Sequence, residues 1–178
     1  MHEAILGLRA LPVPVIAAVH GSCAGAGMGL ALGSDLVVAE RSATFVIGYT
    51  AVGLTPDCGV SWLLTRRLGH ALAADLILTN RPLDAVAAQA AGLVGRLVET
   101  GEAHAEAEAT ALAAGPLTAH ARTLQLIRQA DSVPLAEQLD HEAAAISAAV
   151  QTSDADEGIS AFLHKRAPIF LRTELSTG

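Results

Sequence analysis

With 178 residues, 52% of them hydrophobic and only 3% aromatic, the chain has enough apolar content for one domain with an aliphatic, alanine-rich core. A formal net charge of −7 argues against the basic face of a nucleic-acid binder, yet leaves room for an anionic small ligand held by a local Arg or Lys. Cys23 and Cys58 lack CxxC spacing, so neither a disulfide framework nor a zinc site is expected, and a reducing cytoplasm is the simplest home. The apolar run at 13–19 is too short to span a bilayer, and its prolines and flanks do not fit a signal peptide.

In chain order, residues 2–11 predict a short helix with Ile5, Leu8 and Leu11 on one face, ended by Pro12 and Pro14. A buried strand is expected over 15–19, then a turn rich in Gly21, Gly25, Gly27 and Gly29, then a helix to about Gly33. Short strands follow at 36–39 and 45–47. Thr55-Pro-Asp-Cys-Gly59 reads as a turn, with a helix through Trp62, Leu63, Leu64 and Leu68 after it. Helices are expected near 70–79 and 83–91, and a strand near 93–98. From about residue 101 the pattern is helical, with breaks at Gly115-Pro116 and Pro134. This divides the chain into an α/β portion at 1–100 and a helical portion at 101–178, without an internal sequence repeat.

The strand–glycine turn–helix unit is the richest in chemistry. A helix start presents unpaired N–H groups and a positive dipole end, which suit a phosphate or a carbonyl oxyanion. Counted from Gly25, the dinucleotide pattern puts Leu30 where its last glycine belongs, and no Gly-Lys-Ser/Thr ends a phosphate loop. Glycines that merely ease helix–strand packing remain an alternative. Cys23 follows His20 by three residues, but no Gly-x-Ser-x-Gly elbow is present, and both cysteines read as buried, inert thiols. Asp57 has two readings: an N-cap for the helix after it, or a proton-transfer group whose pKa is raised by apolar Val52, Leu54, Val60 and Trp62. Arg66 and Arg67 are expected to pair with carboxylates.

Three stretches carry a resemblance. Pro14-Val-Ile-Ala-Ala-Val-His-Gly21 with its glycine turn, Gly53-Leu-Thr-Pro-Asp-Cys-Gly59 continuing to Gly69, and Leu78-Thr-Asn-Arg-Pro-Leu-Asp-Ala85 with Ala91-Gly-Leu-Val94 resemble the enoyl-CoA hydratase/isomerase (crotonase) superfamily. Segments 43–45 and 157–170 extend the likeness over most of the chain in consistent order. The resemblance implies an α/β fold with a crotonase-like ββα-spiral core, N-terminally truncated, and a helical C-terminal portion serving oligomerisation or as a lid. It implies an acyl-CoA thioester as substrate, homotrimers or dimers of trimers, and neither a metal nor a cofactor beyond the substrate's own CoA.

Site residues follow by the same resemblance. The backbone N–H of Ala26 corresponds to an oxyanion donor, and Gly25, Gly27, Gly29, Tyr49 and Pro56 fall in the substrate-binding segments. The two glutamates that activate water in the family's hydratases align with Gly29 and Tyr49, so hydration is expected to be lost or weak. Asp57 matches the acidic position of the family's isomerases, and its Pro-Asp-x-Gly wording resembles the ring-modified isomerases of phenylacetate breakdown. Lys165 matches a lysine that helps bind CoA phosphates, with a solvated helix charge as its plain alternative. The family's earlier ββα units and its second oxyanion-donor loop have no counterpart in these residues. The expected activity is therefore acyl-CoA double-bond isomerisation; a catalytically silent acyl-CoA-binding or oligomer subunit is the alternative, and a hydratase the third.

Overall fold

The computed structural model describes residues 1–170. The chain divides into two compact units: Met1–Leu11 with Val15–Ala107, and Pro12–Pro14 with the residues from Glu108 onward.

In the first unit, α1 (His2–Ala10) buries Ile5 and precedes β1 (Ile16–Val19). The chain then turns at Gly21, whose φ of 59° lies in the left-handed region, and enters β2 (Ser22–Ala24). This strand falls where a continuous glycine turn was expected. Cys23 on β2 is buried between exposed Ser22 and Ala24, the alternation of a half-covered strand. Next come α2 (Ala26–Gly33), β3 (Leu36–Glu40) and β4 (Thr44–Val46). After a 3₁₀ turn at Thr50–Val52, α3 runs over Val60–Thr79 with a non-helical break at Gly69, so the two helices expected there join across a kink. The unit continues with β5 (Leu83–Asp84), α4 (Ala85–Ala90), β6 (Arg96–Val98) and the first residues of α5 (Gly101–Ala113).

Two three-stranded sheets result, in the orders β1-β3-β6 and β2-β4-β5. Ile16 pairs with Leu36 in the first, and Ser22 with Thr44 in the second, both in parallel register. Each successive pair, β1–β2 and then β3–β4, thus adds one strand to each sheet before a helix follows. That is a structural repeat carried by burial and turn geometry rather than by repeated residues. The core lies between sheets and helices and contains Met28 and Leu32 of α2, Val37 of β3, Phe45 of β4, and Val60 and Leu64 of α3. Because α2 is apolar on nearly every side, it sits deep in this unit.

The second unit is helical. α6 (Leu117–Gln129) and α7 (Leu135–Ala149) pack as a hairpin, with Gln129 Nε2 and His141 Nδ1 2.8 Å apart and Gln138 Nε2 donating to Leu126 O at 3.2 Å. Pro116 and Pro134 stand at the N-caps of α6 and α7, which explains the expected breaks. α8 (Ser153–Leu163) starts at Thr152, whose hydroxyl accepts from Ala155 N.

Candidate active site

The first turn of α2 is one side of the site. Gly25 is the N-cap at φ 54°, a conformation that glycine adopts without a Cβ penalty, and Met28 N donates to Gly25 O at 3.0 Å. The N–H groups of Ala26 and Gly27 belong to the turn that has no intrahelical acceptor. Ala26 is exposed and Gly27 half-buried, so a ligand oxygen can approach. A cleft of about 470 Å³, lined by β1, β2, by Gly27, Leu30 and Ala31 of α2 and by Ser34 after it, reaches this turn at Gly27, while Ala26, Tyr49 and Asp57 are not among its lining residues.

Gly29 lies one turn further along, on the same face as Ala26. It is buried, and a Cβ there would come within 2.6 Å of Cys58 Cβ and 2.7 Å of Cys58 O. The neighbour of Gly29 on this side is Cys58, and the missing side chain lets the Asp57–Cys58 turn dock on α2. A glutamate at this position would need the space that Cys58 fills.

The docking point, Gly29, stands three residues from Ala26 on α2, roughly 4.5 Å along the helix axis, and Asp57 directly precedes the Cys58 that packs there. Cys58 is almost wholly buried and held at φ 51°, and Gly59 follows at φ 74°. Two successive left-handed residues swing the chain from Pro56 into α3, and for Cys58 the conformation costs roughly 1 kcal/mol or more, retained by its burial. The N-cap of α3 is Gly59, without a side-chain cap, so the capping reading of Asp57 does not hold. Its carboxylate faces Tyr49 instead, whose hydroxyl donates to Asp57 Oδ1.

The electrostatics of Asp57 reverse the expectation. Its pKa lies below the ordinary carboxylate value, chiefly through the Tyr49 hydrogen bond, with the Cys58 thiol next and smaller contributions from His2 and the Met1 amino group. Desolvation raises it but is outweighed by these hydrogen bonds, and Val52, Leu54 and Trp62 are themselves exposed. Tyr49 responds in the opposite direction: burial and the Asp57 carboxylate raise its pKa well above the ordinary phenol. Cys58 is likewise raised by Asp57, and burial pushes the Cys23 thiol up to about 11, which fits the inert reading of both thiols.

The arginines also differ from expectation. Arg67 Nη2 donates to the carbonyls of Leu32 and Ser34 at 3.0 and 2.6 Å, closing the C-terminal end of α2. Arg66 stacks 3.8 Å over Trp62, with Arg9 at 5.8 Å. In the second unit, Lys165 is exposed at φ 51° directly after α8; Lys165 N donates to Phe162 O and Arg166 N to Ala161 O, a Schellman ending with lysine where glycine is usual. The Tyr49–Asp57 link and the Gly29–Cys58 contact were not visible as sequence patterns, because neither pairing follows helical or strand spacing.

The family model for enoyl-CoA hydratase/isomerase matches residues 1–173. The chain belongs to this family. It is 44% identical over 165 residues to the 1,2-epoxyphenylacetyl-CoA isomerase of Escherichia coli strain K12, a match covering 92% of this chain and 63% of that protein. Among solved structures, an enoyl-CoA hydratase from Polaromonas sp. JS666 superposes with a TM-score of 0.92 at 40% identity, covering 96% of this chain and 67% of that one. An enoyl-CoA hydratase from Bacillus anthracis gives 0.90 at 31% identity, covering 95% and 66%. The chain spans a little under two thirds of the length of the curated relatives it matches. Among the described residues, no helix is long and apolar enough to cross a membrane, and no group of three or more His, Cys, Asp or Glu is placed to hold a metal ion.

Proposed function

We propose that this member of the enoyl-CoA hydratase/isomerase family is an acyl-CoA double-bond isomerase, with Asp57 as proton shuttle and the Ala26 N–H as an oxyanion donor. The observation that carries the reading is the docking of the Asp57–Cys58 turn on Gly29, one turn from the free start of α2. A thioester carbonyl polarised at that helix start acidifies the adjacent and conjugated C–H bonds. Asp57 takes one proton from the 3-enoyl thioester, the electron pair spreads into a dienolate on the carbonyl oxygen, and the same carboxyl returns the proton two carbons away. The CoA belongs to the substrate, and the step uses no other cofactor. Pro56 sets the entry to the acidic turn, and Lys165 is proposed to meet a CoA phosphate across a subunit boundary. Hydration is disfavoured because Gly29 offers no carboxylate and the phenol of Tyr49 is harder to ionise than usual.

Turnover of a 3-enoyl-CoA or a ring-oxepin-CoA by wild type and Asp57→Asn tests the assignment. Loss of about 10²–10⁴ in kcat with acyl-CoA binding retained is expected; equal turnover in both removes Asp57 from the mechanism. A second reading, an acyl-CoA-binding subunit without turnover, draws on the exposure of Asp57, which lets water compete for the carboxylate. Calorimetric binding with no turnover in the wild type would select it.

A further inference from the structure

Tyr49 and Asp57 stand at the two ends of one closed loop, and α3 anchors both ends. Tyr49 O accepts from Val52 N at 3.1 Å and from Leu54 N at 3.0 Å, which folds the segment after it into a compact turn. Thr50 Oγ1 donates to Ile77 O at 2.8 Å and accepts from Asn80 Nδ2, tying that turn to the C-terminal end of α3. Asp57 enters the other end of α3 through Val60 N, which donates to Asp57 O at 3.0 Å. The phenol of Tyr49 then bridges the gap to Oδ1 of Asp57.

We propose that Tyr49 is a positioning residue for proton transfer: by donating to Oδ1 it fixes the Asp57 carboxylate and leaves its other oxygen to meet substrate. Besides Tyr49, the groups facing Asp57 are the Cys58 thiol from the same turn, and His2 and the Met1 amino group from the α1 end. Of these, the Tyr49 hydrogen bond acts most strongly. The inference rests on Asp57 being the proton shuttle.

Tyr49 is the sole tyrosine of the sequence, so phenolate absorbance titrates this one group in the intact chain. Tyr49 is expected to ionise well above the ordinary phenol value near 10 and to fall toward it in Asp57→Asn. In Tyr49→Phe, the Asp57 carboxyl, followed by its ¹³C shift, is expected to titrate higher than in wild type. The acid limb of kcat/KM should move up with it, and kcat should drop ~10- to 100-fold while KM changes little. An unshifted phenol that ignores Asp57→Asn, or a Tyr49→Phe enzyme with wild-type kcat and acid limb, overturns the positioning role. Because the phenol titration needs only Asp57→Asn, a poorly folding Tyr49→Phe chain does not shield the proposal. Full turnover in Asp57→Asn would instead overturn the isomerase mechanism itself, a result distinguishable from either failure above.

Discussion

At the residue scale, the site depends on one absent side chain. Gly29 lets α2 and the acidic turn approach so closely that a single methyl would fall 2.6 Å from Cys58 Cβ. Gly29→Ala is therefore expected to destabilise the chain by about 1–3 kcal/mol, the usual range for forcing a methyl into a filled core. It should also lower turnover by pushing Asp57 away from Ala26. Urea unfolding alongside an isomerase assay checks both; an alanine variant with wild-type stability would mean that Cys58 yields easily.

At the element scale, α8 ends in a bracket that titrates. Glu157 accepts from Arg166 Nη1 and Nη2 at 2.5 and 2.7 Å and from Ile169 N at 2.8 Å. These bonds lower its pKa from 4.5 to about 2. A carboxyl whose folded pKa is depressed stabilises the fold fully above its unfolded value and loses that contribution as pH falls through the folded one. The end of α8 should accordingly loosen between about pH 4.5 and 2. Amide exchange at Ile169 followed across that window reads the effect, and Glu157→Gln should flatten it. A wild-type profile already flat there would show that the bracket does not hold the helix end.

At the scale of the whole molecule, the helical unit leaves much apolar surface open. Leu135 on α7 is 74% exposed and Phe162 on α8 is 81% exposed, with Leu139, Ile146 and Leu163 also accessible. Exposed apolar side chains in such number mark surfaces that other protein covers. We expect the chain to assemble as a trimer or a dimer of trimers, and Phe162→Glu to reduce the assembly. Light scattering gives the mass directly; a wild-type monomer at micromolar concentration would refute the assembly.

Much of the fold and part of the site were legible in the sequence, for reasons that are local. Apolar runs at 15–19 and 36–39 mark strands, although in β1 only Val19 is buried and Ala18 is exposed, prolines at 116 and 134 mark helix starts, and Gly25 marks the sharp entry to α2, because backbone preference acts over a few residues. The family wording around Gly53–Gly59 singled out Asp57. What required the folded chain was everything that depends on distant neighbours: that Ser22–Ala24 is a strand, that Arg67 closes α2, that Gly29 makes room for Cys58, and that Tyr49 lowers rather than raises the pKa of Asp57. A carboxylate's proton affinity is set by the groups that touch it, and the composition around Asp57 suggested apolar burial where the fold supplies a hydrogen-bond donor.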